Sequence, residues 1–381
     1  MRLVIDAFKL VKGAGKSIGI YNLACSLVEY LSAENVRRGL PEEIIVLGNA
    51  HNRKDFVREG STFVEIPKNP LDRKTFTLWE LFGVKKYARQ YHADRILFPR
   101  GYRPFVYTGR DTIIIHDLIP FWYDRHVPGY LNRTENAYIR NRLKASIRHA
   151  DQIITISDFS RREIEALVPG SGAKIVRIYN GINDVPPFAK KQEERPPYLA
   201  AVTTKMPHKN AAGILKTYAA YWEKCGERGV TPLDLVLIGI PGTEGFDKGS
   251  GLTEAMRAHI RCPGYIPDYA DMCRLIAGAT AFLFLSLAEG FGFPPLEAMQ
   301  LGAPVICSNA TSLPEVVGEA ALLTDPEDPA GTAEKILRLQ QDEGLRQELV
   351  RRGRENVRRF GWDSRTREYW SALFGEGERK E

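Results

Sequence analysis

No stretch of 18 or so uncharged apolar residues occurs in the 381-residue chain, so no transmembrane helix is expected. Residues 1–9 are apolar but broken by Asp6 and Lys9. A secretory signal needs a longer unbroken apolar core, and the segment reads instead as a first β-strand. Cysteine is scarce: Cys25, Cys225, Cys262, Cys273 and Cys307, odd in number and without CxxC spacing. That argues against a disulfide framework or a zinc site and for free thiols in a reducing cytoplasm. No Asp-x-Asp pair sits at an expected strand end, and His and Cys lack ligand spacing, so no metal and no cofactor are expected. Fixed-period repeats and low-complexity tracts are missing too, which excludes a solenoid.

What is present fits a water-soluble α/β protein. Hydrophobic residues make up 44% and charged residues 26%, and the length suits two domains of about 150–200 residues each. Net charge is +6 but uneven. Residues 1–182 hold 29 Lys and Arg against 19 Asp and Glu, a net +10, whereas the remainder holds 24 against 28, a net −4. A basic first half suits a phosphate-bearing acceptor or an anionic membrane surface; arginines on solvated helix faces are the plain alternative.

Short apolar runs alternate with longer helical patterns, as in βαβ units around parallel sheets. In the first half the pattern predicts strands at 2–6, 43–48, 61–66, 95–98, 112–116, 152–156 and 174–178, with helices at 18–38, 77–91, 130–149 and 158–167. Residues 184–197, rich in proline and charge, read as a linker. A second series follows: strands at 198–203, 233–239, 262–266, 280–285 and 303–307, and helices at 210–225, 252–260, 268–278 and 294–301. Thus 1–183 and 198–360 are expected to be two doubly wound domains, with a helical end at 361–381 that has the option of crossing back to the first. Ligands of such sheets sit beyond the carboxyl ends of the strands, here in a cleft between the domains.

The densest chemical signal is Ser286-Leu287-Ala288-Glu289-Gly290-Phe291-Gly292-Phe293-Pro294-Pro295-Leu296-Glu297. It follows an apolar strand and opens a helix. Gly290 and Gly292 permit a tight turn with close backbone approach to a ligand, and the prolines suit a first helical turn. The amides of that turn favour a phosphate. Glu289 and Glu297, eight positions apart, suit hydroxyls of a sugar and a ribose rather than phosphate.

These residues resemble the E-x7-E motif of glycosyltransferase family 4. Ala303-Pro304-Val305-Ile306 and Ser312-Leu313-Pro314-Glu315-Val316-Val317-Gly318 resemble the strand and loop that follow it. His116-Asp117-Leu118-Ile119-Pro120, Ser157-Asp158-Phe159-Ser160 and Tyr179-Asn180-Gly181-Ile182 resemble its first-domain landmarks, so the likeness spans nearly the whole chain. It implies a GT-B fold of two Rossmann-like domains, a nucleotide-sugar donor and retention of anomeric configuration. Carried over, it implies that Glu297 holds the donor ribose and Glu289 the transferred sugar, with backbone amides near Phe291 and Gly292 on sugar and phosphate. Lys209 matches the lysine that neutralises the diphosphate, where a cation stabilises the leaving nucleotide. The arginine that many members carry five positions earlier is Thr204 here, leaving Lys205 or His208 to supply a second cation. His116 is implied to touch the donor sugar, in a positioning role.

Gly15 lies in Gly13-Ala14-Gly15-Lys16-Ser17, which imitates a P-loop ending. The required earlier glycine is Leu10, so an ATPase is excluded; the loop faces diphosphate and acceptor. Tyr265 and Ile266 are candidates for reading the nucleobase. The resemblance leans toward mannosyltransferase-like members. It implies a hexose transferase using GDP-mannose, acting on a glycan or lipid-linked acceptor in surface polysaccharide synthesis, in the cytoplasm at the inner membrane face. UDP-glucose, UDP-galactose or dTDP-rhamnose donors remain alternatives. So do two other classes, a nucleotide-sugar epimerase of the same architecture and a sugar-nucleotide-binding protein without turnover. A nucleic-acid partner would explain the basic half but not the glutamate pair, and is not expected.

Overall fold

The computed structural model describes residues 1–13, 18–105, 107–185 and 196–375. They form two compact units, Met1–Gly181 joined by the segment from Gly361, and Ile182–Phe360. Most of the expected linker, 186–195, lies outside the described residues.

The first unit contains β1 (Arg2–Asp6), α1 (Ile18–Arg38), β2 (Glu43–Gly48), α2 (Arg53–Phe56), β3 (Thr62–Glu65), α3 (Arg73–Leu78), a π-helical turn Trp79–Gly83, α4 (Val84–Gln90), β4 (Arg95–Phe98), β5 (Asp111–Ile115), α5 (Ile119–His126), α6 (Arg133–His149), β6 (Gln152–Thr155), α7 (Asp158–Leu167) and β7 (Ile175–Arg177). Its strands pair in parallel in the order β3-β2-β1-β4-β5-β6-β7. Leu3, Val4 and Ile5 of β1 are all fully buried, because helices cover both faces of such a sheet and leave no polar side.

The second unit runs β8 (Tyr198–Val202), α8 (Ala211–Arg228), β9 (Asp234–Ile238), α9 (Glu254–Ala258), β10 (Ile260–Gly264), α10 (Tyr269–Ala277), β11 (Ala281–Phe284), α11 (Phe293–Leu301), β12 (Val305–Ser308), α12 (Leu313–Val317), β13 (Ala321–Thr324), α13 (Pro329–Gln341) and α14 (Glu343–Val357). Its parallel order is β10-β9-β8-β11-β12-β13. A core of Leu199, Ile214, Tyr218, Leu235, Leu283 and Ile336 binds helices to sheet. Helix α15 (Trp362–Phe374) then packs on α1 of the first unit. There Trp362 stacks on Tyr30 at 4.9 Å between ring centroids.

In both sheets two strands that are neighbours in space are far apart in sequence: β1 beside β4, and β8 beside β11. The connections leave such a pair in opposite directions, which opens a crevice beyond its carboxyl ends. The expected helix at 130–149 is the shorter α6, preceded by α5, an eight-residue helix without a sequence expectation that buries Phe121 and Tyr123. The expected helix at 77–91 begins earlier, at Arg73, and is interrupted by the π turn. Strand β13 had no sequence expectation, being four residues long with two half-buried.

Candidate active site

The second unit's crevice is built by the loops after β8 and β11. Beyond β8 the chain makes a 3-10 turn, Pro207–Lys209, and enters α8 through Asn210 in a left-handed conformation. The Asn210 side chain accepts from the Gly213 N–H at 3.1 Å and donates through Nδ2 to the Leu285 carbonyl at 2.9 Å. Thr203 Oγ1 donates to the Lys209 carbonyl at 2.9 Å, and the Leu287 N–H donates to the His208 carbonyl at 2.7 Å. These bonds tie one loop to the other and place Lys209 against Glu289, with Nζ donating to Oε1 at 2.6 Å. Both side chains are largely buried, 22% and 10% exposed, so the pair is a charge-assisted bond sheltered from screening.

Glu289 is held from behind. Its N–H donates to Thr311 Oγ1 at 2.9 Å, and Ser312 Oγ lies 2.9 Å from its carbonyl and 3.0 Å from that of Phe291. Ser308 Oγ donates to the Ser286 carbonyl at 2.6 Å. Gly290 is buried, and the Phe291 ring packs edge-on against Phe293 and Phe360. Gly292 caps α11 at φ 121°, where an added Cβ would lie 2.6 Å from Leu313 Cδ2. No side chain caps this helix start. Since Pro294 and Pro295 have no N–H, the unpaired amides there are those of Gly292 and Phe293. The two prolines thus narrow the free amides of that turn to this pair.

Glu297, one turn further along, accepts from the Tyr269 hydroxyl at 3.1 Å, and burial raises its carboxyl above the ordinary range. Tyr265 is 82% exposed and Ile266 half-buried on the loop after β10. Lys205 is exposed. His208 is buried, and its pKa is pushed down to about 4 by desolvation and then by the Lys209 charge. With no ligand bound His208 is therefore neutral near pH 7, and Lys205 is the exposed one of the two candidates for the missing arginine's charge. Thr204 is occupied locally, its Oγ1 accepting from the Met206 N–H at 3.2 Å.

In the first unit, His116 follows β5 and its Nε2 lies 2.7 Å from the Pro99 carbonyl. The carbonyl can only accept, so Nε2 carries the proton and Nδ1 is left as an acceptor. Burial pushes this histidine to a pKa of about 4, against the opposing effect of the Pro99 bond. Gly15 lies outside the described residues.

Two family models cover the chain in succession: Glycosyltransferase Family 4 over residues 26–185 and Glycosyl transferases group 1 over residues 186–356. The chain is 31% identical over 335 residues to the O-antigen chain mannosyltransferase B of Escherichia coli, with 81% of this chain and 87% of that protein covered. It belongs to glycosyltransferase family 4. The fold agrees. Sucrose-phosphate synthase from Thermosynechococcus elongatus superposes with a TM-score of 0.72 at 19% identity, covering 97% of each chain. HepE of Anabaena, solved in complex with UDP-glucose, does so with 0.68 at 17%, covering 98% of this chain and 99% of that one. Both likenesses support two Rossmann-like domains of the GT-B class.

Within this glycosyltransferase, Lys209 and Glu289 were expected on different parts of a donor, yet the fold bonds them directly. Asn210, Thr311 and Tyr269 hold or touch the site and were not singled out from sequence, and Ser312 entered only as the first residue of a resembling loop. Only Asn210 left a legible signal, an asparagine three residues ahead of a glycine at a helix start.

Proposed function

We propose that this transferase moves a hexose, with retention of anomeric configuration, from a nucleotide diphosphate sugar to a hydroxyl of a glycan or lipid-linked acceptor. GDP-mannose is the leading donor and surface polysaccharide the destination, because the E. coli relative is named an O-antigen chain mannosyltransferase and shares most of its length with this chain. The reaction belongs in the cytoplasm at the inner membrane face, and it calls on no metal or cofactor. The observation that carries the reading is the sheltered Lys209–Glu289 pair beside the open Gly292 and Phe293 amides.

An ammonium has three donors and Glu289 engages one, so Lys209 keeps N–H groups for the diphosphate while the glutamate fixes its position. Glu289 Oε2 is then available to sugar hydroxyls and Glu297 to the ribose. Tyr265 and Ile266 meet the base, Lys205 supplies the outer cation, and the neutral His116 positions the sugar near its reacting carbon. The C1–O bond to the β-phosphate breaks, the acceptor oxygen bonds C1 on the same face, and the acceptor proton passes to the departing phosphate oxygen. Lys209 and the amides stabilise the charge that builds on that oxygen, the largest kind of catalytic contribution. No protein nucleophile is required.

Thermal unfolding with GDP, UDP and dTDP tests the donor class. A ligand at 100 times its Kd stabilises the native state by about 2.7 kcal/mol. A selective response to GDP supports the leading donor, and silence to all three overturns the reading. A selective response to UDP supports the second donor class, which the UDP-glucose complex of HepE favours. Proton NMR of the product linkage tests retention, and trapping of a covalent glycosyl-enzyme would overturn the one-face mechanism.

A further inference from the structure

The first unit has its own crevice at the carboxyl ends of β1 and β4, and an unassigned set of charged groups fills it. Asp6 ends β1, Lys9 follows it, and Arg100 and Tyr102 follow β4. Glu80 arrives on the π-helical turn Trp79–Gly83, a distortion that often marks functional positions because it re-aims side chains. Together they line a small cavity of about 20 Å³, room for one water-sized group and not for a sugar ring.

The hydrogen-bond inventory says what that group is. Both carboxylates are already engaged. Trp79 Nε1 donates to the two Asp6 oxygens at 3.0 and 3.1 Å. Lys9 is ion-paired to Glu80 Oε2, and the Tyr138 hydroxyl donates to Oε1 at 3.2 Å with Arg142 Nε 3.6 Å away. Of the polar side chains that line the cavity, the two without a hydrogen-bond partner among the described residues, Arg100 and Tyr102, both carry donors. The Arg100 guanidinium lies over the Phe76 ring, 5.1 Å from its centroid, within electrostatic reach of Asp6 and Glu80 but hydrogen-bonded to neither. Tyr102 also lines the cavity, and burial raises its pKa, keeping its hydroxyl protonated. The lining itself is balanced, Lys9 and Arg100 against Asp6 and Glu80, and Arg142 behind Glu80 adds a third cation next to it.

From this we infer that Arg100, Tyr102 and Lys9 form a binding site for an oxyanion, phosphoryl or carboxylate, with one of its oxygens seated in the cavity. On the transferase reading above, that group belongs to the acceptor, so the acceptor carries an anionic group. Arg100 supplies a fork suited to two oxygens, and the Lys9–Glu80 pair fixes the floor.

The test is arginine labelling of the full-length wild-type chain with phenylglyoxal, with modified sites mapped by mass spectrometry. Inorganic phosphate is expected to slow labelling of Arg100 severalfold while exposed arginines such as Arg89 react unchanged. Acetate forms the second arm. Protection by phosphate alone assigns a phosphoryl group, and protection by acetate assigns a carboxylate. An Arg100 that labels at the same rate in both overturns the inference. The nucleotide thermal-shift response reads the second unit independently, so a failure here is distinguishable from a failure of the transferase reading.

Discussion

Asn210 holds a left-handed backbone at φ 56°, a conformation that asparagine tolerates better than most residues, and its side chain does the work of joining two loops. Gly213 has to be glycine for this: a Cβ there would come within 2.3 Å of Asn210 Nδ2. Replacing Asn210 by alanine removes a helix cap and orphans the Leu285 carbonyl, at a cost of about 1–3 kcal/mol. Chemical denaturation should show that loss, and the nucleotide should bind less tightly because Lys209 is no longer fixed. Lys209→Ala acts differently. It leaves the Glu289 carboxylate mostly buried and unpaired, and it removes the cation assigned to the leaving diphosphate. Turnover should fall by roughly 10²–10³-fold, the usual scale for losing one preorganised charge-stabilising donor. A K209A enzyme turning over within threefold of wild type would refute that assignment.

At the scale of elements, the joints between strand and loop are where the fold is least forgiving. Gly239 follows β9 at φ 102°, and a Cβ would meet the Thr203 carbonyl at 2.1 Å. Backbone oxygen cannot yield as a side chain would. Gly239→Ala should therefore destabilise by at least about 2 kcal/mol and loosen the Thr203 end of the loop that carries Lys209, measurable as a lower urea midpoint and weaker nucleotide binding. These joints also explain what was readable in advance. The central strands were legible because full burial on both faces forces unbroken Val, Ile and Leu, as in Leu3-Val4-Ile5 and Leu235-Val236-Leu237. The loop around Glu289 was legible because glycines and prolines punctuate it. The Lys209–Glu289 pairing was not: its partners are 80 positions apart, and no local pattern encodes a contact made through a crossover. Helix α5 escaped for another reason, since its eight residues are fewer than the window over which helical periodicity can be read.

At the scale of the whole molecule, each unit holds one desolvated histidine in its neutral form, the half-buried His116 in the first and the buried His208 in the second. Desolvation depresses both from 6.5 to about 4. Between those values the unfolded chain takes up protons that the native state refuses, so native stability is complete above pH 6.5 and declines as pH falls through the window. Each histidine should contribute about 2 kcal/mol of loss on going from pH 7 to pH 5. Buried acids oppose this. Asp6, raised to about 6, and Asp111 and Glu297, also raised by burial, hold protons longer in the native state and gain stability over the same range. The raw pH profile therefore mixes both signs, and a flat profile would decide nothing. The difference between wild type and His208→Asn removes the acids' share, because they titrate alike in both proteins. That difference in unfolding free energy should shrink by about 2 kcal/mol between pH 7 and pH 5, and a pH-independent difference would show that His208 is not held neutral in the fold.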